Sequence, residues 1–250
     1  MKKLMIASTL LIATTLTQAQ TPAVEKITSF TVTELPVTAA EKSFGQQVGG
    51  MGSGGATGIT NFPTSSLYSD PTTPPSTNER IGQVISTAKD VVALGEAIYT
   101  LVQKGKPSNT TEYAPVRIVP RDQATKEHVD PFDLENCAMP TTKKYVASIK
   151  SGSKEVVRFE YMVIYTVGCS YNGTGKWIES AMVQPVSVKT GFGWDFTATM
   201  KLSGIMNHGS KTDPVAGALL TMKYQMNSWS TSFERNDTIH ITGRGELKTY

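Results

Sequence analysis

Beyond Thr142 the chain alternates apolar and polar residues with a period of two. Val157, Phe159, Tyr161, Val163, Tyr165 and Val167 fall on one face of a long predicted strand. The opposite face changes from Arg158 and Glu160 to Met162 and Ile164. Such a strand is half exposed at one end and buried on both sides at the other. Asn172-Gly173 is a two-residue hairpin signal, residues 177–188 read as the return strand, and Gly191 and Gly193 turn the chain again. Trp194, Phe196, Ala198, Met200 and Leu202 then alternate with Asp195, Thr197, Thr199 and Lys201. After a longer loop at 203–217 come a strand with Leu220, Met222, Tyr224 and Met226 and a last one over 238–242 with Leu247. The expected fold is mainly β, an antiparallel β-sandwich.

Upstream the period changes. Ser76-Thr77-Asn78-Glu79 has the spacing of a capping box, and Ile81, Val84, Ile85, Ala88, Val92, Gly95, Tyr99 and Val102 follow a 3.6-residue period up to Gly105. This predicts one long amphipathic α-helix packed on the sandwich. Its apolar face is broad, which fits either a helix seated in a groove of the β-domain or one able to leave it for a membrane or a partner. Its charges cancel, so it carries no electrostatic attraction for anionic lipid.

Before the helix, Ile27, Phe30, Val32 and Leu35 suggest one short strand. No charged residue occurs between Lys42 and Asp70, and glycine, proline, serine and threonine dominate there. Segment 20–75 therefore reads as largely flexible, and residues 76–250 as a helix plus β-sandwich domain. Gly50-Met51-Gly52-Ser53-Gly54-Gly55 matches G-x-G-x-x-G but neither follows a strand nor opens a helix, so it is read as loop.

Met1-Lys2-Lys3, the apolar stretch from Leu4 to Leu16 and the small residues around Ala19 predict a bacterial-type signal peptide over 1–19 and an exported protein, periplasmic or extracellular. Removing Lys2 and Lys3 changes 24 basic against 21 acidic residues to 22 against 21, a net charge of +1. With no concentrated basic stripe, nucleic acid is not an expected partner. Cys137 and Cys169 are the two cysteines, and in an exported chain they are expected to form a disulfide.

Catalytic patterns fail on context. Ser151-Gly152-Ser153-Lys154, Ser170-Tyr171-Asn172 and Lys189-Thr190-Gly191 match, in order, the three signatures of penicillin-binding proteins and β-lactamases. That chemistry needs the first serine on a helix, whereas Glu155 to Phe159 reads as strand. His128, His208 and His240 are far apart in sequence and are each read as structural or exposed. Asp130, Asp133 and Glu135 lack the glycine and oxygen spacing of a calcium loop. No catalytic residue, metal site or cofactor is assigned, and the protein is expected not to be an enzyme.

Aromatics near turns, Tyr171, Trp177, Phe192 and Trp194, are the candidate ligand- or membrane-binding residues, since rings with polar tips suit sugar faces, choline headgroups and interfacial lipid. The expected function is a non-enzymatic binding protein at the cell envelope or outside the cell, with an envelope component, glycan or protein as partner and self-association left open. The order of elements, a helix ahead of a β-sandwich with aromatic loops, resembles that of actinoporin-like cytolysins. That resemblance implies, as the alternative, a pore-forming protein whose helix face (Ile81, Val84, Ile85, Ala88, Val92, Tyr99) enters a lipid membrane.

Overall fold

The computed structural model describes residues 26–49, 84–88, 91–108, 113–122, 124–125 and 127–250. The predicted signal peptide, the glycine motif, the Ser76 capping box and Ile81 lie outside them. The elements run β1 (Ile27–Leu35), α1 (Ala39–Gly49), β2 (Val84–Ala88), β3 (Val91–Leu94), β4 (Ile98–Gln103), β5 (Lys106–Pro107) and β6 (Val116–Pro120). They continue with β7 (Thr141–Ser151), β8 (Lys154–Tyr171), β9 (Thr174–Thr190), β10 (Asp195–Asn207), β11 (Ala216–Asn227), β12 (Ser232–Thr242) and β13 (Leu247–Thr249). The protein is mainly β, with two antiparallel sheets: seven strands ordered β1-β7-β8-β9-β6-β3-β2, and six ordered β13-β12-β11-β10-β4-β5.

The period-two faces meet in one core. Phe159, Tyr161, Val163 and Tyr165 from β8 are buried with Phe196, Ala198 and Met200 from β10 and with Leu220, Met222 and Tyr224 from β11. The Phe159 and Phe196 rings lie 5.6 Å apart, and the Tyr161 and Tyr224 hydroxyls are hydrogen-bonded at 3.2 Å. Burial pushes the Tyr161 phenol up to about 12, so the pair stays protonated and shares one O–H···O bond where no water reaches. Asn172 and Gly173 both have positive φ and close the predicted β8–β9 hairpin with the two-residue geometry that suits the twist of its strands.

The long helix expected over 76–105 is corrected. Val84, Ile85 and Ala88 lie on β2, Val92 on β3 and Tyr99 on β4. The apolar positions do fit a 3.6 period, but the segment is rich in β-branched residues, and all of Val91–Leu94 is buried, as in a strand covered on both faces. Gly95 ends β3 at φ 111°, and a Cβ there would lie 2.2 Å from the Pro115 carbonyl oxygen. This break lets the chain cross from the first sheet to the second. Tyr99 is buried, its hydroxyl donating to the Ala114 carbonyl and its ring edge-on to Tyr113. Among the described residues no helix is long and apolar enough to cross a membrane, and Val84, Ile85, Ala88, Val92 and Tyr99, expected on a mobile helix face, lie in strands.

The helix that does form lies in the stretch read as flexible. Thr38-Ala-Ala-Glu41 is a closed capping box: the Thr38 N–H donates to Glu41 Oε2 at 2.9 Å, and the Glu41 N–H donates to Thr38 Oγ1 at 3.2 Å. Phe44 and Val48 of α1 cover Met162, Ile164 and Met182, the apolar outer patch of β8 and β9 that the sequence pattern required to be buried. Lys144 of β7 donates to Glu41 Oε1 at 2.8 Å and pairs with Glu160 at 3.3 Å. Burial pushes the Glu41 carboxyl up, but Lys144 and the Thr38 N–H and hydroxyl outweigh it and hold it below the usual range.

Candidate functional site

Cys137 and Cys169 form the expected disulfide. It clips segment 135–138 beside the end of β8, where Glu135 and Ser170 exchange backbone hydrogen bonds of 2.8 and 2.7 Å and the Ala138 N–H donates to the Val167 carbonyl. The acidic residues of the preceding loop have local work. Asp130 caps the 3₁₀ turn Pro131–Asp133 by accepting from the Phe132 N–H at 2.9 Å. Beneath the outer face of the first sheet, Arg117 Nη2 approaches Glu179 Oε1 at 3.7 Å, and both side chains are largely buried. Burial lowers the Arg117 guanidinium and raises the Glu179 carboxyl, while the attraction between the two groups opposes both shifts.

The four candidate aromatics do not gather. Tyr171 and Trp177 stand at the β8–β9 hairpin, with Trp177 buried and its Nε1–H donating to the Thr174 carbonyl at 3.3 Å. Phe192 and Trp194 lie in the β9–β10 turn, at the other end of β9, about 40 Å away along the strand. Trp194 is buried in the core and Phe192 is fully exposed. Of the three β-lactamase-like signatures one stands apart: Ser151–Lys154 turns the β7–β8 hairpin at the end of β8 where Val157 pairs with Thr190, whereas Ser170 lies at the opposite end of β8.

The register instead assembles a cleft at the Trp177 end. In β11 and β12, Leu219 is paired with His240 and Gly217 with Thr242, and β13 places Lys248 opposite His240. Ile239 and Ile241 point into the core, so His240 and Thr242 face outward between them. His208 comes from the loop after β10. Asn207 Oδ1 shapes that loop by accepting from the Gly209 and Val215 N–H groups, each at 2.8 Å, and the His208 N–H donates to the Val215 carbonyl at 2.7 Å. A Cβ on residue 217 would sit 2.5 Å from His208 Nε2, so glycine is what leaves room for the imidazole. The loop is tied to the β9 end by Gly175 N–H to Asp213 Oδ1 and Lys176 N–H to the Pro214 carbonyl.

The two imidazoles meet head to head, with Nε2 to Nε2 at 2.8 Å and centroids 4.8 Å apart. They line a cleft of about 340 Å³ together with Val215, Thr242, Arg244, Glu246, Lys248 and Tyr250. Arg244 and Lys248 outnumber the single acidic side chain, Glu246. Burial, with His208 and Lys248 adding to it, draws His240 below the usual imidazole value, and Glu246 acts in the opposite sense. His208 and His240, 32 residues apart in the chain, were each read as isolated; cross-strand pairing is what makes them neighbours. Among the described residues no group of three or more His, Cys, Asp or Glu could hold a metal ion.

Chemically the cleft offers a shared-proton histidine pair, a guanidinium, an ammonium, a carboxylate and the Thr242 and Tyr250 hydroxyls. No family model matches the chain, and neither the curated proteins nor the solved structures include a match to it.

Proposed function

We propose that this protein is an exported, non-enzymatic β-sandwich binding module that acts at the cell envelope or outside the cell and holds its partner in the His208–His240 cleft. The observation that carries the reading is the cleft itself, a concave polar site built on paired strands and a hydrogen-bonded loop. Sites on rigid elements hold their polar groups in place, so less ordering is needed when a partner docks. The Cys137–Cys169 disulfide favours an oxidising compartment. The aromatic side chains contribute indirectly, since Trp177 is packed beneath the hairpin that anchors the cleft loop.

The test is retention of the protein on purified envelope sacculi and immobilised glycans, with released material followed by mass spectrometry. The wild-type chain is run beside Glu246→Trp, which fills the cleft from an exposed position. Wild-type retention with a loss of at least about tenfold in the variant is the expected result; tenfold corresponds to about 1.4 kcal/mol. Equal retention by both proteins removes the cleft from the function, and fragments released by the wild type overturn the non-enzymatic reading.

A further inference from the structure

We infer that the cleft binds an oxyanion, a phosphate, sulfate or carboxylate group, and takes up a proton on the His208–His240 pair as it does so. This deepens the binding-module reading and rests on it. At 2.8 Å the two Nε2 atoms cannot both carry hydrogen and remain in contact. In the neutral pair one Nε2–H donates and the other nitrogen accepts. A second proton turns both into donors directed at each other, and the contact then needs an acceptor between or beside them. An oxyanion supplies it, while Arg244 and Lys248 add charge-assisted donors from the same cleft.

The surroundings agree in sign. Lys248 faces His240 from β13 and Arg244 stands in the β12–β13 turn, both opposing a second proton on the pair. Glu246 is the one carboxylate side chain lining the cleft. On the loop side, Asp213 is engaged by the Gly175 N–H, and from β11 the facing residues are Gly217 and Leu219, which carry no charge. With no anion, a proton on His240 is resisted by burial, by His208 and by Lys248, and Glu246 opposes them. With an anion it is favoured, so anion affinity rises as pH falls through the imidazole range, around 6.5.

Sulfate is the direct probe because its charge is constant across that range. Titrations followed by calorimetry and by the histidine side-chain NMR signals, at pH 5.5 and 7.5, are expected to give tighter binding at the lower pH. One coupled proton limits the gain to about tenfold per pH unit. Arg244→Gln/Lys248→Gln is expected to weaken sulfate by at least about tenfold at both pH values. His208→Gln breaks the pair and is expected to weaken sulfate and to reduce the pH dependence of binding. All three substituted positions are exposed, so unchanged thermal midpoints verify the fold. Parallel titrations with glucuronate and glycerol 3-phosphate separate a sugar acid from a phosphate headgroup as the source of the anion. Sulfate affinity that ignores pH, or that survives Arg244→Gln/Lys248→Gln, overturns the inference. If sulfate fails while retention on sacculi is lost only in Glu246→Trp, the anion assignment alone falls. If neither sulfate nor sacculi bind, the binding-module reading falls with it.

Discussion

Gly45 of α1 packs against Thr142 of β7, and replacing it with alanine sets two effects of opposite sign against each other. A Cβ at this position would lie 1.9 Å from Thr142 Oγ1 and 3.2 Å from Thr142 Cβ. Rotating Thr142 about χ1 can move the hydroxyl, but the Cβ–Cβ approach remains tighter than ordinary contact, so the helix must lift or β7 must give. Overpacking of this kind costs about 1–3 kcal/mol. In a helix free of the sheet the same change is favourable, because alanine exceeds glycine in helix propensity by about 1 kcal/mol. Docked, the sum is a destabilisation of about 0–2 kcal/mol; undocked, it is a stabilisation of about 1 kcal/mol. Urea unfolding of Gly45→Ala beside wild type reads the sign, and amide exchange over Ala39–Gly49 reports whether the loss is local. Thr142→Ala, which removes an oxygen that is buried without a hydrogen-bond partner among the described residues but keeps the Cβ, is expected to restore part of the stability in the double variant. A Gly45→Ala protein more stable than wild type, with α1 amides better protected, refutes the packing of α1 on β7.

Tyr161→Phe is expected to cost about 1–2 kcal/mol by leaving the buried Tyr224 hydroxyl without its partner, whereas Tyr161→Phe/Tyr224→Phe recovers part of that loss; thermal melts of the three variants check it. Glu41 has a folded-state pKa below its unfolded value, so the unfolded chain binds more protons as acid is added. Its stabilising contribution is complete above about pH 4.3 and is lost as pH falls through the lowered folded value. Melts of wild type and Glu41→Gln from pH 6 to pH 3 should therefore converge, and a gap that stays constant over that range contradicts the Glu41–Lys144 contact.

The sequence pattern located β8 to β11 because each alternates and is bounded by turn residues, and Asn172-Gly173 marked a hairpin unaided, whereas the last strand expected over 238–242 with Leu247 is two, β12 from Ser232 and β13 from Leu247. The apolar Met162 and Ile164 on the outer face of β8 announced a covering layer. The cover was assigned to the wrong segment. Ser76–Glu79 drew attention as a capping box, while Thr38–Glu41, with the same spacing, stood beside a glycine-rich tract whose composition argued for disorder. Between Val84 and Val102 the 3.6 period was an accident of several short strands, and the β-branched residues were the better guide. The cleft could not be read from spacing, since His208 and His240 meet only through the register of β11 with β12 and the missing side chain at Gly217.

The outermost strand of the seven-stranded sheet bears on the timing of folding. β1 pairs along its whole length with β7, and the Thr28 hydroxyl bonds to the Gly152 carbonyl 124 residues later. At 5–20 residues per second, a ribosome needs roughly 6 to 25 s to make that interval. Until β7 has emerged, the start of the described chain has no native partner strand. The first sheet cannot close cotranslationally from its leading edge, and its long-range pairing makes closure slow thereafter. The pairing that completes this edge is available only once β7 has been made, so β1 waits as an unpaired strand until then.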